Sequence, residues 1–229
     1  MKILPIDSDW PQQLLPFLSY IVSGKLATAL SNLGESWEAL GNLRDRIGYR
    51  GVYEILDYRG RLELLDGEGR EAVVTRREKI RVLQDNVVAL VDHAWGPGSQ
   101  FATYECRPGT PVDFYDDGSM QSVLISLREV KSRDDRFELR VRRTIKDGFA
   151  DKEGWLETEI NRRMEHPRWS IIFPKERHCK KATVGRRHSH RTVALEKQHF
   201  AFLSDGRQEL VWETSHPRLH DRYVIKWTW

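Results

Sequence analysis

The residue types with the most chemical reach collect in one stretch of this chain. Seven of its eight histidines lie after residue 165, and His178-Cys179 is followed by His188 and His190. Imidazole and thiolate are zinc ligands, and two histidines at i and i+2 of a strand share a face. The spacing His-Cys-x8-His-x-His lacks the ligand pairs on both sides that a zinc ribbon or finger needs. Arg177, Lys180, Lys181, Arg186, Arg187 and Arg191 surround the four side chains, and their field repels a cation. No metal is expected there.

The same cations would lower the pKa of a thiol, which makes Cys179 a candidate nucleophile. Its neighbour His178 is poorly placed to act as base, because adjacent strand residues point to opposite faces. The carboxylate pairs Asp116-Asp117 and Asp134-Asp135 read as turn chemistry. The chain has no G-x-x-x-x-G-K-[ST], no G-x-G-x-x-G and no G-x-S-x-G, so the common phosphate cradles and the serine nucleophile elbow are missing. No cofactor is expected.

Charge is the feature that remains. Between Arg162 and Arg191 ten Lys or Arg stand against two acids, Glu165 and Glu176, in a chain whose net charge is +3. Trp169 and Phe173 are interleaved with them. Cations with aromatics suit a nucleic-acid groove, but Trp169, Ile171 and Phe173 alternate as a core-facing strand does. The stretch Lys175–Arg191 is expected to be a charged loop, with Arg177, Lys180, Lys181, Arg186, Arg187 and Arg191 as its binding residues.

The elements that must carry these residues fall into two kinds. Residues 1–50 read as a helical segment packed on a β-domain: Leu14, Leu15, Leu18, Ile21 and Val22 recur at helical spacing, and Leu26 to Ile47 continue the pattern. Residues 51–229 read as an antiparallel β-domain of about ten short strands. Arg59-Gly60 is expected to be a tight turn, as is Asp66-Gly67-Glu68-Gly69. The runs 121–130 and 137–145 are expected to form a hairpin. In the second run Phe137, Leu139 and Val141 alternate with Glu138, Arg140 and Arg142, so one face is wet. At the C-terminal end Tyr223, Ile225, Trp227 and Trp229 share a face that belongs over a core.

The chain has 229 residues, with 8 Trp, 7 Tyr and 8 Phe, ample for a core. The fold class expected is mainly β (α+β), an antiparallel β-sandwich or open barrel after the helical segment. Two cysteines, no signal peptide and no apolar run of about 20 residues point to the cytoplasm and away from a membrane. With no catalytic constellation, the expectation is a non-catalytic protein-interaction or regulatory module. It would serve as an accessory or adaptor subunit of a bacterial signalling, stress or defence system and bind another protein through its sheet face or the Lys175–Arg191 loop. A nucleic-acid-binding protein using residues 162–191 is the first alternative. A small hydrolase using Cys179 or a histidine pair is the second.

Overall fold

The alternation seen in the sequence becomes three sheets. The computed structural model describes residues 51–187, 191–215 and 217–229. The helical segment expected over residues 1–50 and the histidines His188 and His190 lie outside the described residues. Among the described residues fourteen strands follow one another. They are β1 (Tyr53–Leu64), β2 (Glu71–Val82), β3 (Val87–Ala94), β4 (Ser99–Arg107), β5 (Thr110–Asp116), β6 (Gln121–Lys131) and β7 (Arg136–Lys146). Then come β8 (Glu153–Glu159), β9 (Pro167–Phe173), β10 (Lys181–Arg186), β11 (Thr192–Ala194), β12 (Phe200–Phe202), β13 (Gln208–Glu213) and β14 (Arg222–Thr228). A 3-10 turn, Lys197–His199, separates β11 from β12.

The largest sheet has seven strands in the order β12-β13-β9-β1-β2-β7-β4. A four-stranded sheet, β11-β10-β14-β8, and a three-stranded sheet, β3-β6-β5, cover its inner face. The four-stranded sheet meets it where Phe173 touches Trp227 and Trp212 touches Tyr223, with ring centroids 5.8 and 5.2 Å apart. The three-stranded sheet meets it where Tyr104 packs on Phe114 at 6.1 Å. One core runs between them, built from Leu62, Ile80, Ile125, Leu139, Ile171 and Trp227 among others. The protein is mainly β, with sheets stacked as in a sandwich. Among the described residues no helix is long and apolar enough to cross a membrane.

Pairing is antiparallel apart from β1 and β9, which run parallel. Two expectations fail here. Arg59-Gly60 is not a turn: β1 runs straight through it, and Gly60 is needed because the Trp169 indole lies where a side chain would start, 2.4 Å from an ideal Cβ. Strands β6 and β7 are not a hairpin either. β6 pairs with β3 and β5, whereas β7 pairs with β2 and β4. The bend between them docks on the end of β2, through Asp134 N–H to the Val82 carbonyl and Val82 N–H to the Asp135 carbonyl, at 2.8 and 2.9 Å. Asp134 takes a positive φ of 68° there, and the chain crosses from one sheet to another.

Other readings stand. The Asp66 carboxylate closes the β1–β2 turn by accepting N–H groups of Glu68, Arg70 and Glu71 at 2.8, 3.1 and 2.9 Å. Ile225, Trp227 and Trp229 are buried as their spacing predicts.

Candidate functional site

The basic residues singled out by sequence are scattered, and most are already engaged. Arg177 donates to the carbonyls of Gly67 and Asp151, both at 3.1 Å, and its guanidinium lies 4.0 Å over the Trp229 ring. It clamps the C-terminal strand to the β1–β2 turn. Lys180 and Lys181 are exposed where β10 begins. At its other end Arg186 meets Asp221 at 3.4 Å and Arg187 meets Glu157 at 3.0 Å. Arg191 is exposed, just before β11. Arg162 is buried, with its guanidinium 4.1 Å from the Tyr53 ring. The expected loop is a strand over Lys181–Arg186, which holds these cations apart along its length.

Cys179 is buried and its thiol donates to the Lys181 carbonyl at 3.4 Å. Burial pushes that thiol up to about 11, opposite to the lowering that neighbouring cations would cause, because Lys180 and Lys181 point to solvent. A neutral thiol is a weak nucleophile. His178 packs edge-on against Phe202 at 5.2 Å, with its Nε2 3.0 Å from the Gly206 carbonyl. Among the described residues no three His, Cys, Asp or Glu side chains converge.

A different set of cations does converge, on the outer face of the seven-stranded sheet. The register places Arg168 of β9 opposite Arg59 of β1, Arg59 opposite Arg77 of β2, Arg77 opposite Arg140 of β7, and Arg140 opposite Arg107 of β4. Five arginines thus stand side by side in one rung, on strands about 4.8 Å apart, so the rung spans roughly 19 Å. The next rung carries Arg61 and Arg142 on either side of Thr75. An open groove of about 530 Å³ lies over both rungs.

Like charges directly opposite each other destabilise a sheet. Some of that repulsion is offset by carboxylates at the margins. Glu138 takes Arg77 at 2.5 Å and Arg140 at 2.6 Å; Asp57 takes Arg59 at 3.2 Å, Glu63 takes Arg61 at 3.4 Å and Glu213 takes Arg168 at 3.0 Å. Hydrogen bonds from Arg140 and Arg77 hold the Glu138 carboxyl below its ordinary value. Arg107 and Arg142 make no ion pair with a carboxylate of the described residues, although Glu105 of β4 stands opposite Arg142 in the register. The face is therefore a positive band bordered by acids, open to solvent, with Arg140 69% exposed. No aromatic side chain of the five strands crossed by the rungs points to this face, because Tyr53, Tyr58, Phe101, Tyr104, Phe137, Trp169 and Phe173 all pack with the core on the inner one.

Sequence reading marked Arg140 and Arg142 as wet-face residues but did not find the band. Its members come from five strands, 59 to 168 in number, and only the pairing register joins them.

No family model matches this chain, and no curated protein matches it. Among solved structures it is similar to an M1 zinc metallopeptidase from Deinococcus radiodurans, at 10% identity and a TM-score of 0.44. A mutant of that metallopeptidase bound to a Tyr-Ser-Ala substrate gives 10% identity and a TM-score of 0.45. In both cases the match covers 76% of this chain and 42% of that one, so the chain spans less than half the length of these neighbours. A likeness at that score carries no functional weight.

Proposed function

We propose that this protein is a non-catalytic interaction module that docks an acidic protein surface on the outer face of its seven-stranded sheet. The observation that carries this reading is the rung of Arg168, Arg59, Arg77, Arg140 and Arg107. A sheet gains nothing in stability from like charges in register, whereas guanidiniums in a planar array suit carboxylates, which they bind bidentately. The acids along the margins favour a protein over a nucleic acid. A long phosphate backbone would run past Glu138, Glu63 and Glu213 and be repelled, while a compact acidic patch fits inside the border and its own flanking cations meet those acids. The face also lacks the aromatic platform on which single-stranded bases stack. An accessory or adaptor role in a larger bacterial system is consistent with a module of this kind.

The test is fluorescence anisotropy with a labelled glutamate-rich peptide and, in parallel, a labelled single-stranded oligonucleotide, at several salt concentrations. The peptide binds at low salt and weakens as salt rises. Arg107→Ala with Arg142→Ala removes two guanidiniums that no carboxylate holds, and weakens binding by about tenfold or more. Arg186→Ala with Arg187→Ala, at the end of β10, leaves it nearly unchanged. Tighter binding of the oligonucleotide with a steep salt slope, or loss of peptide binding only in the β10 variant, overturns the reading.

A further inference from the structure

Where the two smaller sheets meet the inner face of the large one, the core holds charge instead of hydrocarbon. Arg76 of β2 reaches Glu78 at 2.7 Å and Asp92 of β3 at 2.8 Å. The Tyr104 hydroxyl donates to Asp92 at 2.9 Å. Glu78, Asp92 and Gln100 are all at least nine-tenths buried. These groups line a partly enclosed cavity of about 130 Å³, closed on other sides by Trp155 of β8 and Trp169 of β9. Burying so many ions costs more than a well-packed apolar core would, and a cavity with convergent polar groups is where a ligand binds.

The lining carries four carboxylates, Glu78, Asp92, Glu157 and Glu159, and an arginine holds each of them. The carboxylates of Glu78 and Asp92 are both taken by Arg76, and Asp92 also by Tyr104. Arg143 of β7, by contrast, has no carboxylate within ion-pairing distance among the described residues. Its Nη1 donates to the Gln100 carbonyl at 2.7 Å and side-chain oxygen at 3.1 Å, and its guanidinium lies 5.3 Å from the Phe101 ring centroid. Its Nε and Nη2 donate to nothing among the described residues, although a guanidinium carries five N–H groups. The indole N–H of Trp169 is buried and likewise meets no acceptor. Burial pushes Arg143 down to about 10, so it stays charged at neutral pH.

We propose that this cavity binds a small oxyanion, a carboxylate or phosphate-type group of a few heavy atoms, with Arg143 as its main anchor and Trp169 as a second donor. The volume holds several waters or one compact anion, and an anion supplies the acceptors that Arg143 and Trp169 lack among the described residues. The site is on the opposite face of the sheet from the arginine rungs and does not depend on the reading given for them.

Trp95, Trp155 and Trp169 line the cavity, so intrinsic fluorescence reports on it. The full chain is titrated with phosphate, sulfate and malonate at constant ionic strength, with chloride as the control. At least one of the three gives a saturable fluorescence change, and at a hundredfold excess over its Kd it raises the Tm by about 5–10 °C. Arg143→Met abolishes both effects. Trp169→Phe keeps the ring and removes the N–H, which weakens binding by about five- to tenfold, and serves if Arg143→Met does not fold. Arg107→Ala with Arg142→Ala, on the outer face, leaves the titration unchanged. The proposal is overturned if none of the anions saturates, if the response survives both Arg143→Met and Trp169→Phe, or if the outer-face variant removes it.

Discussion

Gly60→Ala tests the arrangement on which the arginine rungs depend, because Arg59 and Arg61 share a face only if β1 passes straight through residue 60. A methyl group at Gly60 would sit 2.4 Å from Cε3 and Cζ3 of Trp169 and 2.6 Å from its Cδ2. Carbon atoms in contact prefer about 3.5–4.0 Å, so the indole would have to retreat by more than an ångström. Trp169 has little room to do so, being 5% exposed and packed on Tyr58 with ring centroids 5.6 Å apart. Overpacking of this kind costs about 1–3 kcal/mol. Replacing glycine also restricts the unfolded chain, which returns about 0.4–1 kcal/mol. The net loss is about 1–2 kcal/mol, or a Tm lower by roughly 2–8 °C for a domain of this size.

The assay is thermal and urea unfolding of four proteins: wild type, Gly60→Ala, Trp169→Leu and the double variant. Trp169→Leu is destabilising by itself, since it removes a buried indole. On that background Gly60→Ala becomes neutral or slightly stabilising, so the pair couples by about 1–3 kcal/mol. Were Arg59-Gly60 a tight turn, the penalty for a side chain would come from the backbone and would be the same on both backgrounds. Equal penalties, or a Gly60→Ala protein as stable as wild type, refute both the strand and the register built on it.

Trp227→Ala empties the space between Phe149 and Phe173 above Gly154 and costs about 3–5 kcal/mol, read from guanidinium unfolding; a loss within experimental error would mean that β14 does not face the core. Arg76→Met leaves Glu78 and Asp92 without their cation and costs about 3–5 kcal/mol; the urea midpoint measures it, and no change would deny the buried network. Burial pushes the Cys106 and Cys179 thiols from 9.0 up to about 11, so the unfolded chain loses these protons first. The stability they contribute is complete below pH 9 and is lost as pH rises toward 11. Replacing both with Ala flattens that part of the pH–stability curve, and buried Tyr53, Tyr58 and Tyr104, raised for the same reason, keep a residual slope above it. Native protein at pH 8 also leaves both thiols unreactive toward a disulfide reagent.

Strands with one wet and one dry face were legible because their period is local. Phe137 to Arg142 and Tyr223 to Trp229 announce themselves in six or seven residues. What failed needed information from elsewhere in the chain. Gly60 resembles a turn glycine until Trp169, more than a hundred residues later, is placed over it. β5 contains Pro111 and three residues of turn-like type, Thr110, Asp113 and Asp116, and is held as a strand only by pairing with β6. β10 hides in the basic run because its strand character comes from bonding with β11 and β14. Linear charge density led to the same mistake at the site: the ten cations between Arg162 and Arg191 look like one feature and are dispersed, while the arginines that adjoin each other are far apart in number.

The arrangement of β2 and β7 explains why adjacent charges in sequence are misleading here. In β2 Arg76 points inward to Glu78 and Asp92, and Arg77 points outward to Glu138. In β7 Arg142 points outward to the groove and Arg143 inward to the cavity. Each dibasic pair is split across the sheet by the two-residue period, so every face receives a guanidinium at the same level. A slip of one residue would exchange the two sets and bury the outer arginines. The irregularity between Ile55 and Asp57 in β1 maintains this register, keeping Tyr53, Ile55 and Tyr58 in the core and Arg59 and Arg61 outside. Arg107, Arg142 and Arg143 make no ion pair among the described residues, although Glu105 stands opposite Arg142, and all three lie on β7 and its edge neighbour β4. Stability alone would favour a β-former such as Thr or Val at each of these positions. Charge left unpaired on both faces of the same two strands is therefore the feature that the proposals for the outer band and the inner cavity share.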